Sequence, residues 1–311
     1  MENLKRILVA TDFSEQSQFA ISRAVDIAKT AKAQLLILHV VQKGFFDKVI
    51  DEVLPAARVI LITPKEYAEQ LLEEQINKLA PHKLKIEKII LSGEHPAKKI
   101  LNYTKNNKID LLVMGAHGEY SIHDWFVGTT TEYIAEKTTC PVLIIKNKPR
   151  HDYRKILIPV DFSLASKNAV EFSTQLLPKK DLRILHVGDQ AYEDLLENDD
   201  DIPPGKSNKL RKEIFLILKN KTEKFINGCH NTFIKLSYDI KLGYPGIVIL
   251  NEAKRLKRDL VIMGTEGHSR FHYLWLGRVA SRVLIETEKD ILLVPPASKK
   301  FKHKKISREK V

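Results

Sequence analysis

Asp12 closes the apolar run Ile7-Leu8-Val9-Ala10, and Gly115-Ala116-His117-Gly118 continues from another, Leu111-Leu112-Val113-Met114. Nine residues separate Gly118 from Gly128, which is followed by Thr129-Thr130-Thr131. Glycines at 115 and 118 would let the backbone approach a ligand closely and take positive φ without penalty. Gly128 would open a helix whose unpaired N–H groups and dipole favour an anion. The hydroxyls of Thr129 and Thr131 would add donors for phosphate oxygens. Together these residues describe a nucleotide phosphate site that needs no lysine. Singly, each has a plainer reading: Asp12 as a helix cap, GxxG as a turn, His117 as an ordinary loop histidine.

Such a site needs a scaffold that brings two strand ends together, and the sequence supplies one twice. Lys5 to Ser14 returns as Arg154 to Ser163, placing Asp161 149 positions after Asp12. Asp110-Leu-Leu-Val-Met-Gly115-x-x-Gly118 returns as Asp259-Leu-Val-Ile-Met-Gly264-x-x-Gly267, and Gly128 returns as Gly277. Leu38-His39-Val40 returns as Leu185-His186-Val187 at offset 147, so small insertions lie between the copies. Short apolar runs predict parallel strands near 5–10, 35–41, 85–91, 110–114 and 141–146, then near 155–160, 182–187, 233–242, 259–263 and 290–295. The intervening stretches have helical period, with Ser14 and Ser163 as N-caps. The expectation is an α/β fold of two tandem doubly wound domains, 1–148 and 153–297. Each is an open five-stranded parallel sheet with helices on both faces, and its ligand crevice lies between the first and fourth strands. Asn147 to Tyr153 forms the polar junction.

The composition bounds the rest. A chain of 311 residues with 43% hydrophobic and 29% charged residues favours two globular cores. Two cysteines, 140 and 229, fall in different halves and favour a reducing compartment. With no signal-type or membrane-spanning apolar run, the expected location is the cytoplasm. Half of the +12 formal charge lies in residues 298–311, a basic tail read as disordered, with only weak, salt-sensitive contact to nucleic acid, anionic lipid or an acidic partner. Gly188 to Ser207 reads as an acidic mobile loop. Gly205-Lys206-Ser207 within it lacks the context of a Walker A motif. His39 and His186 read as packed, hydrogen-bonded histidines.

The pattern GxxG, nine residues, then G and Ser/Thr resembles the ATP-binding members of the universal stress protein family, over roughly 3–147 and 153–297. The resemblance implies a Rossmann-like fold and ATP as the ligand, with Mg2+. Thr11, Asp12 and Val40 would hold adenine and ribose, Met114, Gly115, His117 and Gly118 would line the phosphate side, and Gly128, Thr129, Thr130 and Thr131 would close on the phosphates. In the second half the same positions are Asp161, Val187, Met263, Gly264, Gly267, Gly277 and Arg278. There Arg278 replaces the Ser/Thr, Glu266 replaces the histidine and Ala280 replaces Thr131, which weakens the second site. The resemblance also implies dimerisation through the last strand, so Pro141–Ile145 and Ile291–Val294 form an internal pseudo-dimer, with a homodimer of two chains as a further option.

No GxSxG, HExxH or CxxC signature is present, so no catalytic residue and no protein-only metal site is assigned. Three classes remain open. One is an ATP-dependent stress or regulatory module that signals to a protein partner. Another is a slow ATPase or adenylyl-transfer enzyme using the same cleft, and the third is a scaffold that binds no nucleotide.

Overall fold

The computed structural model describes residues 4–42, 63–79, 84–118, 127–197, 206–229, 236–267 and 276–296. The first half runs β1 (Arg6–Thr11), α1 (Glu15–Ala31), β2 (Gln34–Val41), α2 (Pro64–Leu79), β3 (Ile86–Ser92), α3 (Pro96–Asn106), β4 (Leu111–Gly115), α4 (Thr129–Lys137) and β5 (Val142–Ile145). The second runs β6 (Lys155–Val160), α5 (Leu164–Leu176), β7 (Asp181–Gly188), α6 (Gln190–Glu197), α7 (Lys206–Asn227), β8 (Ser237–Leu242), α8 (Pro245–Arg255), β9 (Leu260–Gly264), α9 (Arg278–Glu286) and β10 (Asp290–Val294). Strand side chains alternate between faces. Ile7, Val9, Leu35 and Ile37 pack under α1 and α2 on one side, while Leu8, Ala10, Leu36 and Leu38 pack under α3 and α4 on the other. A strand buried on both faces has to be apolar throughout, which is why these runs are continuous.

Each half contributes the five parallel strands expected of it, and the two sets join through their last strands into one ten-stranded sheet, ordered β3-β2-β1-β4-β5-β10-β9-β6-β7-β8. All neighbours are parallel except β5 and β10, which pair antiparallel through Val142 with Leu293, Leu143 with Leu292 and Ile144 with Ile291. These six side chains are fully buried, and an unpaired edge this apolar would invite association. Pairing inside the chain uses both last strands and leaves β3 and β8 as the sheet edges. Because the seam is antiparallel, the carboxyl ends of the strands in the two halves point to opposite ends of the sheet.

The expected loop over Gly188 to Ser207 is also corrected, since Gln190–Glu197 is the helix α6 and Lys206 already belongs to α7. Asp189 starts α6 by accepting the Ala191 N–H at 3.1 Å, the role of a helix cap. Residues 198–205, the apolar stretch Val53 to Ile62 and the basic tail lie outside the described residues.

The junction between halves is pinned by residues that the sequence pattern does not mark. Asp290, 2% exposed, accepts the backbone N–H of Lys146 (2.9 Å) and Asn147 (3.1 Å) and the Tyr153 hydroxyl (2.5 Å). Lys146 Nζ donates to the carbonyls of Leu284 (2.7 Å) and Thr287 (2.8 Å), closing the end of α9, and burial pulls its pKa down to about 8. Arg23 of α1 lies 4.0 Å over the Tyr153 ring and donates to the His151 carbonyl at 3.0 Å. Burial, followed by the nearby Asp290 charge, pushes the Tyr153 hydroxyl well above its usual range. Removing the carboxylate strands these donors in a dry site. Asp290→Ala is therefore expected to lower unfolding stability by about 3 kcal/mol. Urea denaturation at neutral pH checks this, and a loss below about 0.5 kcal/mol would show that the junction is not held there.

Candidate functional site

Strand order reverses between β1 and β4, so the carboxyl ends Thr11 and Gly115 flank the crevice that a parallel sheet has at such a switch point. The turn leaving β1 is strained. Phe13 sits at φ 70°, and its counterpart Phe162 at φ 67°, a left-handed conformation that costs a bulky residue about 1–2 kcal/mol. Local contacts offset that cost. The Phe13 N–H donates to Thr11 Oγ1 (3.1 Å), and its ring centroid lies 4.3 Å from that of His39. Ser14 caps α1 by accepting the Ser17 N–H at 3.2 Å. The result is an exposed Asp12 whose Oδ1 accepts from the Ser14 N–H (3.1 Å) and Ser14 Oγ (2.5 Å). Its Oδ2 rests against Gly118, where a β-carbon would collide with it.

The second wall is the loop after β4. Neither Gly115 nor Gly118 takes a positive φ, contrary to expectation; among described glycines only Gly243 does. Gly115 serves packing instead, because a β-carbon there would come within 3.1 Å of the Gln16 backbone at the start of α1. Gly128 folds back with its N–H donating to the Ala116 carbonyl at 2.8 Å. At Gly128 a β-carbon would meet His117 and the Ala116 carbonyl oxygen at no less than an ordinary 3.4 Å, so nothing among the described residues crowds that position. Glycine also brings no side chain to cap α4. The helix ladder begins with the Glu132 N–H donating to the Gly128 carbonyl (2.9 Å), and the N–H groups of Thr129, Thr130 and Thr131 have no acceptor among the described residues. The Nδ1 of His117 is buried with no hydrogen-bond partner. This arrangement can bind an anion with oriented N–H dipoles rather than with a fixed positive side chain.

The structure brings most of the expected residues to this crevice but changes what several contribute. Thr129 is exposed and Thr130 half-buried at the helix start, as a phosphate-facing role requires. Thr131 is corrected: it is 3% exposed and its hydroxyl donates to the Gly115 carbonyl at 3.0 Å, so it fastens α4 to β4 rather than facing a ligand. The Thr11 hydroxyl likewise lies on the opposite face, within 2.9 Å of Ser17 Oγ and donating to Gln75 Oε1 at 3.1 Å. Val40 and Met114 point into the core under α3 and α4 and can offer a ligand mainly their backbone and an apolar floor.

In the second half Asp161, Gly264, Gly267 and Gly277 reproduce the geometry, with Asp161 Oδ2 against Gly267 and the Gly277 N–H donating to the Thr265 carbonyl at 2.7 Å. Val187 and Met263 again form the apolar floor. Ala280, however, has no hydroxyl to hold Gly264. Ser163 Oγ donates instead to the Glu266 carbonyl at 3.3 Å, fastening the loop from the β6 side. Arg278 and Glu266 are both exposed at the mouth, and Glu266 puts a negative charge where the first half has His117. Among the described residues, no group of three or more His, Cys, Asp or Glu side chains could hold a metal. No described helix is long and apolar enough to cross a membrane.

His39 and His186 are the packed histidines expected from their apolar flanks. Nδ1 of His39 lies 2.9 Å from the Thr11 carbonyl and that of His186 3.0 Å from the Val160 carbonyl, tying each β2-type strand to the strained turn. Burial, the largest influence, lowers both imidazole pKa values. The carbonyl contact and the adjacent Asp12 or Asp161 oppose it.

Comparison with known proteins gives the same architecture. The family model described as the universal stress protein family matches residues 3–146 and again 152–295. The universal stress protein YxiE of Bacillus subtilis is 31% identical over 157 residues, covering 45% of this chain and 98% of that protein. The universal stress protein E homolog of Haemophilus influenzae is 22% identical over 320 residues, covering 95% of this chain and 98% of its own. The crystal structure of a universal stress protein from Archaeoglobus fulgidus superposes with a TM-score of 0.64 at 20% identity, covering 94% of this chain and 98% of that one, which supports the fold.

The lowered histidine pKa values set a pH dependence. A base whose folded pKa lies below its unfolded value of about 6.5 binds more protons when unfolded, so stability is complete above that value and falls as pH drops through it. The urea midpoint is expected to decrease between about pH 7.5 and pH 5.5. A His39→Asn, His186→Asn double variant keeps a donor for each carbonyl and should flatten that slope. An unchanged slope would place the titration elsewhere.

Proposed function

The chain belongs to the universal stress protein family, and we propose from that premise that its N-terminal half binds ATP with Mg2+ as a nucleotide-dependent regulatory module of the cytoplasm. The observation that carries this reading is the uncapped start of α4, whose first N–H groups have no acceptor among the described residues, together with the unpartnered Nδ1 of His117 in the loop that leads to it. Three oriented donors and a helix dipole match a polyphosphate better than any neutral ligand. Asp12, Val40 and the backbone at Met114 and Gly115 take the nucleoside. Gly118, Gly128, Thr129 and Thr130 take the phosphates, and Thr131 and Thr11 position the walls. A Mg2+ ion held with the nucleotide would supply positive charge to offset the phosphates.

The same geometry favours holding over turnover. Oδ1 of Asp12 is already engaged by Ser14, and His117 Nδ1 has no carboxylate to orient it as a base. Occupancy of the crevice alters the loops for a protein partner to read. In the second half, the missing threonine hydroxyl and the added carboxylate of Glu266 weaken any nucleotide binding. The two halves constitute an internal pseudo-dimer through β5 and β10.

Gly128→Asp provides a test that separates binding from folding. Asp is a preferred N-cap and fits the observed φ of −66° and ψ of 149°, so α4 should be as stable as before or more so. Its carboxylate would take the free N–H groups and repel phosphate. Calorimetric titration of ATP with Mg2+ should show a single site in the parent, weakened by about 100-fold or more in Gly128→Asp. Gly277→Asp should leave it unaltered. Equal loss in both variants, or none in either, would overturn the assignment to the first half.

A further inference from the structure

The crossover helices between the second and third strands of each half occupy matching places in the fold, but carry opposite surfaces. In the first half, α2 has two lysines against four glutamates, a net −2. In the second, α7 has seven basic residues against two glutamates, a net +5. The basic residues Lys209, Arg211, Lys212, Lys219, Lys221 and Lys224 are all exposed, and none is paired with a carboxylate among the described residues. Of its two glutamates, Glu223 is drawn down onto β8, where it accepts from the Tyr238 hydroxyl at 2.6 Å. Among the carboxylates whose side chains are described on α7 and the adjoining α6, Glu213 and Asp194 are exposed.

Two large aliphatic side chains sit within this basic surface. Leu216 is 57% exposed and Ile217 is 54% exposed, although the same helix buries Ile214, Leu218 and Thr222 against the sheet. Helical period does not require them, because the inward stripe is already complete without them. A helix of 22 residues is about 33 Å long, and it presents these aliphatics as a ridge, not a groove.

We propose that the outward face of α7 is a docking surface for anionic phospholipid, with lysines among the headgroups and Leu216 and Ile217 entering the acyl boundary. Charge complementarity and the aliphatic pair together single out this occupant. An anionic bilayer rewards both features at once. Nucleic acid would reward only the charge, and the exposed residues of the helix include no aromatic for base stacking. A protein interface centres on aromatic anchors in pockets and is depleted of lysine, the reverse of this surface. The helix lies on the α1 and α5 side of the sheet, so docking leaves both strand-end crevices open.

The test is sedimentation of the full chain with vesicles of phosphatidylcholine alone and of phosphatidylcholine mixed equally with phosphatidylglycerol. Both variants keep the basic tail, so any contribution from it is common to all samples. The parent should bind the mixed vesicles and not the neutral ones. Each lysine lost near an anionic surface weakens binding about fivefold, so Lys212→Gln with Lys219→Gln should cost about 25-fold. Leu216→Ser with Ile217→Ser, which keeps every charge, should cost about tenfold or more. Unchanged thermal unfolding establishes that both double variants are folded, their substitutions being at exposed positions. Absence of parent binding to the mixed vesicles would overturn the proposal. It would fall equally if the serine variant bound like the parent, since that leaves charge alone, the signature of the tail or of a nucleic-acid surface.

Discussion

The antiparallel pairing of β5 with β10 is the constraint on which the other features depend. Three residue pairs of fully buried aliphatics join two sheets that each end in an apolar edge. An edge of that kind has to be covered, by another chain or by the same one. Covering it within the chain fixes the relation of the halves, makes their crevices face opposite ends, and requires a short connection to run from the end of β5 back to the start of β6. Asp290 sits at the first position of β10 and receives that connection, so seam and linker are secured by one carboxylate. The cost of burying it is offset by donors from Lys146, Asn147 and Tyr153. Arg23 stands on α1 where α5 has the buried Phe172, since only α1 has the linker lying across it.

A second constraint acts at each strand end. The chain must turn from a parallel strand into a helix tightly enough to leave the crevice open, and both halves do so with a phenylalanine in the left-handed region. Stacking on His39 or His186 and the hydrogen bond from that histidine to the preceding carbonyl hold the turn together. The turn then presents Asp12 or Asp161 at the mouth. The histidines thus work through the backbone geometry of the site, not as groups facing a ligand.

The repeat, the strand sequence, the serine caps and the glycine-threonine spacing were legible from residues alone because each is local or periodic. What was not legible depends on distant partners or on the direction of a side chain. Tyr153 and Asp290 are 137 positions apart, and neither stands in a motif. Thr131 shares its motif position with phosphate-facing threonines, but its helical phase turns it back toward Gly115. Gly115 was expected for freedom of φ and is needed instead for the close approach of α1. Acidic residues led Gln190–Glu197 to be read as loop, whereas Asp189 caps it into a helix. The outward character of Leu216 and Ile217 was hidden for the opposite reason: apolar residues in a helix are read as core until the buried stripe is known.

The two halves differ in how the same loop is fastened, and this bears on what duplication preserved. In the first half a threonine on α4 holds the carbonyl that ends β4, so the loop is tied to the helix that offers free N–H groups. In the second, alanine stands at that place and a serine on the β6 side holds the loop at Glu266. Both arrangements close the backbone, so both halves keep the glycines that closure and packing need. Only the first ties the wall to the helix whose N–H groups face the crevice. Retained glycines are therefore a record of fold, and the threonine hydroxyl and the histidine are features in which the first half differs from the second. A replacement that preserves packing while changing which element anchors the loop can remove ligand chemistry without disturbing the seam, the turns or the sheet.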